Sequence, residues 1–443
     1  MNLSYYQSME LQAIVFIFYV AFFNWLVIRI PFIRNSGLPV NWIIWLFSLK
    51  IIAGLVYAWF YSQPAYYATS DTWNFFKASK PETDWLLQDP IAFFKDLFTN
   101  GYQSSSNLFT HTNSYWNDLK NNSVIKLLAI CNIFTFKNYF ADIIFFNFLS
   151  FFGPIALYRI SHKLLLVNKT LLVISVFLVP SFLFWCSGVH KDGILFSCIA
   201  LIIFHFQKQL EIQKLHFKSI AVILCCLIAI FALRNFLIFL LLPALIVWFL
   251  TYRFRGKEKQ IIISIYAIVI LFFFLSSKIN PRVDLPNYII EKQAEFKQLS
   301  GNSEISIPVL ENNFLSFVKF IPTAIDIAFF RPHLTEFRNI SYVPASLEVL
   351  FIWVFFIFSI FYKNTNKTKH QAAYIYFCLC FSISFLLLCG YTIPFSGAIV
   401  RYRAIALPLI LTAMLPRFAS TKIKLPKLLR SKFFLKEQID KLK

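Results

Sequence analysis

Long apolar runs alternate with short polar loops along most of the chain. A helix of about 20 apolar residues crosses about 30 Å of hydrocarbon. Windows of this kind lie at 11–33, 40–61, 138–158, 170–188, 193–207, 217–233, 235–251, 260–277, 346–362, 372–391 and 403–416. The pattern predicts an all-α, polytopic membrane protein with about 11 transmembrane helices.

Two pairs of windows are separated only by a few polar residues. Residues 187–193 divide 170–188 from 193–207, and Arg234 divides 217–233 from 235–251. Each pair is too long for one crossing, since about 35 apolar residues overshoot the bilayer. We therefore expect two tight helical hairpins.

Basic residues fall mainly in every second loop. The positive-inside rule places loops rich in Lys and Arg in the cytoplasm. The loops that would lie there contain Arg29 and Arg34, residues 159–169, 208–218, 253–259 and 363–369, and the tail 417–443. This predicts an outer N-terminus, a cytoplasmic C-terminus and one transmembrane domain over 1–416 with a basic cytoplasmic tail at 417–443.

Composition supports the membrane assignment. Hydrophobic residues make up 58% of the chain, and 55 residues are Phe, which is more apolar surface than one water-soluble core can bury. The eight Cys lie in apolar runs and are interpreted as small hydrophobes. The net charge of +21 is mostly a topology signal, so no nucleic-acid partner is expected.

Two long segments, 62–137 and 278–345, fall on the outer side. Between Trp85 and Phe98 apolar residues interleave with charges, as in helices that lie in the membrane interface. The second segment returns to an apolar stretch from Phe314 to Phe330. We expect amphipathic interfacial helices in both loops.

Ionisable residues concentrate at the outer ends of the predicted spans. Such groups are costly at membrane depth unless they face a partner or a water-filled cavity, so they mark candidate functional sites. The candidates are Asp71, His190, Lys191, Asp192, Arg234, Arg331, His333, Glu336, Arg401 and Arg403.

The basic candidates have the chemistry of a phosphate site. Arg presents a planar fork that matches phosphate oxygens. We predict that five residues from separate outer loops jointly hold a phosphate or pyrophosphate: Lys191, Arg234, Arg331, Arg401 and Arg403. The alternative is that each of them only extends to lipid headgroups.

The acidic candidates could accept a proton from an acceptor hydroxyl. Asp71 is the first choice because it follows a span in a segment rich in aromatic residues that could stack on sugar rings. A solvated Asp or a helix N-cap is the alternative. Asp192 is the second choice, and its alternative is a tight turn in which Lys191 neutralises it.

The remaining candidates have predicted accessory roles. His190, His333 and Glu336 are predicted as accessory site residues. A divalent metal held by the two histidines with Asp71 or Asp192 is an alternative that no close-spaced ligand pair supports. Lys50, in the middle of the second predicted span, is expected to pair with a carboxylate such as Asp142 or to reach a polar cavity.

An Asp in the first large outer loop, with an acidic residue in a short outer loop two spans later, resembles the GT-C class of polytopic glycosyltransferases. The segments Pro180–Asp192, Arg331-Pro332 and Gly397–Arg403 also resemble bacterial envelope proteins related to that class or to O-antigen polymerases. The resemblance implies a sugar transfer from a polyprenyl-phosphate lipid at the outer face of a bacterial inner membrane. It implies Asp71 as the base and Asp192 as a second acidic site.

Three functional hypotheses follow. The first is transfer of a lipid-linked sugar to a hydroxyl of a glycan, lipid or protein acceptor. The second is a polymerase or ligase of lipid-linked glycans in which Arg331, Arg401 and Arg403 dominate. The third is a transporter or flippase of envelope lipids, with a non-enzymatic scaffold as a further alternative.

Overall fold

The computed structural model describes residues 3–98, 115–165, 167–212, 214–280, 283–298, 303–336, 342–361 and 368–418. Within these ranges the chain is mainly helical, and Glu304 and Phe395 form one isolated β-bridge. The basic tail at 417–443 lies outside the described residues from 419 onward.

The helices follow in chain order. They are α1 (Leu3–Arg29), α2 (Pro31–Arg34), α3 (Val40–Tyr61), α4 (Pro64–Tyr67), α5 (Asp71–Gln88), α6 (Pro90–Lys95), α7 (Tyr115–Thr135), α8 (Tyr139–Leu165), α9 (Lys169–Phe177), α10 (Pro180–Trp185), α11 (Lys191–Ile212), α12 (Phe217–Arg234), α13 (Phe236–Arg253), α14 (Glu258–Ile279), α15 (Leu285–Gln298), α16 (Phe314–Ile325), α17 (Tyr342–Phe361), α18 (Lys369–Thr392) and α19 (Ser396–Met414). A wide helical turn, Asp326–Phe330, continues α16.

Ten of the described helices are long and apolar enough to cross a membrane: α1 from Glu10, α3, α8, α11, α12, α13, α14, α17, α18 and α19. The all-α, polytopic architecture is thereby confirmed. The two short connections also separate helices as predicted, since α11 begins at Lys191 and α12 ends at Arg234.

The window 170–188 departs from the prediction. It forms two short helices, α9 and α10, that meet at Leu178 and Val179. Pro180 starts α10 because its ring lacks the N–H that would continue the hydrogen bonding of α9. Both short helices, α9 and α10, pack against α19. Each is too short to span a bilayer alone, so neither is among the ten candidate spans of the described residues.

The helix ends collect at two opposite ends of the bundle. At one, here called the Asp71 end, Thr72 donates to Val189 O (3.0 Å) and Gln293 donates to Tyr391 O (3.1 Å). At the other, the Arg159 end, Arg159 donates to Phe32 O (2.9 Å) and Lys163 pairs with Glu211 (2.6 Å). Helix ends predicted to share a side of the membrane therefore meet.

Small residues set the closest helix contacts. Ser197 of α11 donates to Ser150 O (2.7 Å) and accepts from Gly153 N (3.0 Å), both on α8. A methyl group on Gly153 would lie 2.6 Å from the backbone of Ser197. Small side chains let membrane helices approach closely and exchange hydrogen bonds. The α8–α11 pair therefore gives a rigid support for the residues at the Asp71 end.

The two segments predicted to be outer loops contain helices. Segment 62–137 holds α4 to α7, and segment 278–345 holds α15 and α16. In α16 one face is buried at Phe317 and Phe320 while Phe314, Leu315 and Val318 are exposed. This pattern suits a helix that packs on the bundle and presents apolar side chains outward.

Candidate functional site

Four predicted site residues from three separate parts of the chain meet at the Asp71 end. Arg401 Nε donates to Asp192 Oδ2 at 2.8 Å, and its Nη1 donates to Asp71 Oδ2 at 3.2 Å. Its Nη2 contacts the His190 imidazole. The imidazole nitrogens lie 3.1 Å from Asp192 and 3.3 Å from Asp71. Arg401 and His190 thus join two carboxylates into one network, here called the Arg401 cluster.

The loop before α11 brings His190 into this network. Gly54 of α3 and Gly188 allow the loop to lie directly against α3, since a methyl group on Gly54 would stand 2.5 Å from Ser187 O. Lys50 donates to Cys186 O and to Ser187 Oγ (3.2 Å for the latter). The loop is therefore held inside the helix bundle.

The predicted pairing of Lys50 with Asp142 is wrong. The ammonium of Lys50 is bound by the 186–187 backbone and hydroxyl, and Asp142 Oδ1 accepts instead from Thr135 Oγ1 at 2.7 Å. The reason is local: the loop that crosses α3 fills the position where a carboxylate partner was expected.

Asp192 is the buried member of the cluster. Its side chain is fully buried, and Arg234 Nη2 lies 2.8 Å from its second oxygen. Two guanidinium groups thus surround one carboxylate, which offsets the cost of removing its charge from water. The neighbouring Lys191, which the alternative interpretation made its neutralising partner, forms no ion pair with it in the described structure. Asp192 therefore holds Arg401 and Arg234 in place.

Asp71 is the accessible member. It is the first residue of α5 and not its N-cap, and 51% of its side chain is exposed. Burial would raise the pKa of Asp71, but the hydrogen bond with His190 and the charge of Arg401 outweigh it and lower the pKa below the ordinary value. Asp71 is therefore an ionised carboxylate that a ligand can reach.

Positive charge exceeds negative charge around Asp192. Lys191 is buried and makes no hydrogen bond or ion pair with another described residue. Arg234 is buried as well, and its Nη1 has no hydrogen-bond partner there. Buried charged donors are costly unless they are paired. An anion beside Lys191 and Arg234 would satisfy both.

Sequence reasoning missed three neighbours of these cations. The ring centre of Tyr402 lies 4.2 Å from Arg234 Cζ, and the ring centre of Trp185 lies 5.8 Å from Arg401 Cζ. Lys120 of α7 lies within electrostatic range of Lys191. Tyr402 stands between two arginines in the chain, which was the available signal. No sequence signal marked Lys120, because only the packing of α7 brings it near Lys191.

The remaining predicted residues form a second group, here called the Arg331 cluster. Arg331 Nε donates to Asp326 (2.8 Å), and Nη1 donates to Glu336. His333 lies 3.1 Å from Asp326. Arg403 Nη2 donates to the carbonyl of Arg331 at 2.7 Å. Two acids neutralise Arg331, and backbone carbonyls accept from Nη1 and Nη2 of Arg403 while its buried Nε has no partner among the described residues, so the pair offers less to a phosphate.

Arg401 and Arg403 therefore have different surroundings although they are two residues apart. A step of two residues turns about 200° around a helix, which places the side chains on opposite faces of α19. The five basic residues predicted for one phosphate site are divided accordingly. Lys191, Arg234 and Arg401 lie together, and Arg331 and Arg403 belong to the second group.

The residues of the Arg401 cluster do not fit a metal ion. Among the described residues no group of three or more His, Cys, Asp or Glu is arranged to hold one. Asp71, His190 and Asp192 all contact the guanidinium of Arg401, a cation that already stands among the donors a metal would need. The divalent metal, an alternative in the sequence analysis, stays untested.

Comparison with protein-family models, with curated proteins and with solved structures gives no significant match to this chain. The resemblance to GT-C enzymes therefore depends on the residues alone.

Proposed function

We propose that this protein is a membrane glycosyltransferase that moves a sugar from a polyprenyl-phosphate donor to a hydroxyl of a glycan, lipid or protein acceptor. The observation that carries the proposal is the Arg401 cluster, in which an accessible, ionised Asp71 stands beside buried cations that lack a full set of partners. A base and an anion site in contact are what this transfer needs.

The proposed chemistry follows from these positions. The acceptor oxygen forms a bond to the sugar carbon while the bond from that carbon to the phosphate oxygen breaks, with inversion. Asp71 takes the hydroxyl proton. The polyprenyl phosphate leaves with its electron pair, and Lys191, Arg234 and Arg401 stabilise its growing charge.

Asp192 and His190 have positioning roles in this scheme. Asp192 is fully buried and held by two arginines, so it orients their guanidinium groups. His190 is 1% exposed and lies between both carboxylates. Its contact with Asp71 fixes the carboxylate that accepts the proton. A direct catalytic role of Asp192 stays a prediction of the sequence.

The side of the membrane on which the Arg401 cluster lies is part of the proposal. The Arg159 end carries the loops rich in Lys and Arg, so the positive-inside rule places it in the cytoplasm. The Arg401 cluster would then face the outer leaflet of a bacterial inner membrane. There the polyprenyl chain of a donor stays in lipid while its phosphate reaches the cations.

Asp71→Asn tests the assignment. This change keeps the size of the side chain and removes its capacity to accept a proton, so we expect at least a 100-fold loss of sugar transfer by purified protein supplied with polyprenyl-phosphate sugars. Asp84→Asn is the matched control, because Asp84 is an exposed carboxylate on the same helix and pairs with Lys137. Full transfer by Asp71→Asn would contradict the proposal.

One observation favours a transporter as the second candidate. The chain breaks between α9 and α10, and the buried Lys50 contacts the following loop. Transporters use discontinuous helices at the membrane midplane. Reconstituted protein that moves a fluorescent polyprenyl phosphate between leaflets, equally well with Asp71→Asn, would favour transport over transfer.

A polymerase or ligase would differ in which residues matter. In that case Arg331→Gln and Arg403→Gln would abolish activity while Asp71→Asn would retain it. The ion pairs of Arg331 with Asp326 and Glu336 support the transferase instead, because they neutralise the cation that would hold a phosphate there.

A further inference from the structure

A cavity of about 430 Å³ lies beside the Arg331 cluster and is separate from the residues proposed to bind the donor. Its walls include the hydroxyls of Ser303, Ser306 and Ser396. Glu304 and Arg331 also line it. This volume falls in the range of small-ligand sites, which is about 300–1,000 Å³.

The structure around the cavity is built by paired backbone segments. Glu304 forms a β-bridge with Phe395, and Ile305 N donates to Pro394 O at 2.7 Å. Ser396 N donates to Ser303 O at 3.0 Å. These bonds attach the extended segment from Ser303 to the start of α19, so the wall that carries the hydroxyls has a fixed position.

The opposite wall is also fixed. Arg331 pairs with Asp326 and Glu336, and the buried Arg403 of α19 donates to the carbonyls of Ala328 and Arg331. Arg403 is thus a positioning residue that holds this wall on α19. Both walls meet α19 within two turns of each other.

The charges of the cavity disfavour a phosphate ligand. Among the lining residues Glu304 and Glu336 are acidic and Arg331 is basic, so the cavity has one excess negative charge. Glu304 forms no hydrogen bond or ion pair through its side chain with another described residue. A carboxylate accepts hydrogen bonds from ligand hydroxyls, and Arg donates to ligand oxygens. Ser396 Oγ donates to Ser303 O and Ser303 Oγ accepts from Gly397 N, so each hydroxyl keeps capacity for one further hydrogen bond. This set of groups fits a neutral polyhydroxyl molecule.

We propose that this cavity binds a neutral saccharide. Ser396 lines the cavity and stands seven residues before Arg403, about two helical turns, so the cavity lies on the Arg403 face of α19 and not on the face of the Arg401 cluster.

Saccharide binding can be measured without turnover. The protein is placed in lipid nanodiscs, and saturation-transfer NMR is recorded with maltotetraose, with a chitosan tetramer and with a hyaluronan tetrasaccharide as neutral, cationic and anionic probes. We expect maltotetraose to bind and the anionic probe to give no signal. Glu304→Gln and Thr335→Val, both at cavity positions, should each weaken binding of the neutral probe at least fivefold.

The control is Glu311→Gln, which changes another exposed acid of the same outer segment outside the cavity lining. Stronger binding of the anionic probe, no binding of any probe, or equal binding by all variants would each overturn the saccharide site. Asp71→Asn should bind maltotetraose normally. If it also transfers sugar, the proposed function fails while the saccharide site stands, so the two outcomes can be told apart.

Discussion

Arg401 and Asp192, 209 positions apart in the chain, form a buried ion pair through Nε and Oδ2 at 2.8 Å. The pair joins α19 to α11 at the Asp71 end. Asp192 is fully buried and Arg401 is 19% exposed, so water screens their interaction little. Both the fold and the proposed anion site therefore depend on it.

The first prediction concerns the coupling between these two residues. In a double-mutant cycle with Arg401→Gln and Asp192→Asn, we expect a coupling energy of about 1–3 kcal/mol, because each single change leaves a buried group without its partner. Unfolding by SDS in mixed micelles gives the free energies.

The exposed pair Lys163 and Glu211 at the Arg159 end is the matched control. Surface pairs couple by less than about 1 kcal/mol. Equal coupling energies in the two pairs would show that burial of the Arg401 pair has no energetic role.

The second prediction concerns pH. The pKa of Asp71 is lower in the folded protein than its ordinary value of about 3.9, so its interactions stabilise the fold above that pH and are lost as pH falls further. The difference in unfolding free energy between wild type and Asp71→Asn should stay constant from pH 5 to 7 and shrink below pH 4. Half of the side chain is exposed, so the plateau should be below about 1 kcal/mol.

Unfolding curves of wild type and Asp71→Asn recorded between pH 3 and 7 test this pH dependence. A difference that disappears between pH 5 and 7 would instead indicate a raised pKa. It would also mean that His190 and Arg401 do not hold Asp71 in its ionised form.

The third prediction concerns Lys50, which binds the loop before α11. Lys50→Met keeps the length of the side chain but leaves the carbonyl of Cys186 without its donor, so we expect a loss of about 1–3 kcal/mol in unfolding free energy. Sugar transfer should also fall, because the same loop positions His190. Lys218→Met, at an exposed lysine, is the control and should change neither quantity.

The fourth prediction concerns membrane sidedness. Ala68→Cys and Lys257→Cys place thiols at exposed positions on the two opposite ends of the bundle. In intact bacteria, a membrane-impermeant maleimide able to pass the outer membrane should label Cys at 68, and Cys at 257 only after the inner membrane is opened. The wild-type protein gives the background from its native cysteines. The reverse pattern would place Asp71 in the cytoplasm and remove the proposed site.

The sequence alone determined the all-α membrane architecture and most helix positions, because the cost of burying polar groups in lipid acts locally on every window of about 20 residues. The same cost marked Asp71, His190, Asp192, Arg234 and Arg401 as unusual. It did not reveal the break before Pro180, since hydropathy does not distinguish one helix from two short ones in an apolar run.

Only the tertiary structure decided which charges meet. Arg401 and Arg403 look equivalent in the chain, yet opposite faces of α19 direct one to Asp71 and Asp192 and the other to the carbonyl of Arg331. Lys50 likewise donates to a backbone carbonyl of the loop before α11 and not to a carboxylate. Such pairings depend on helix rotation and on close contacts at small residues such as Gly54, and a single chain's hydrophobic pattern does not specify either of them.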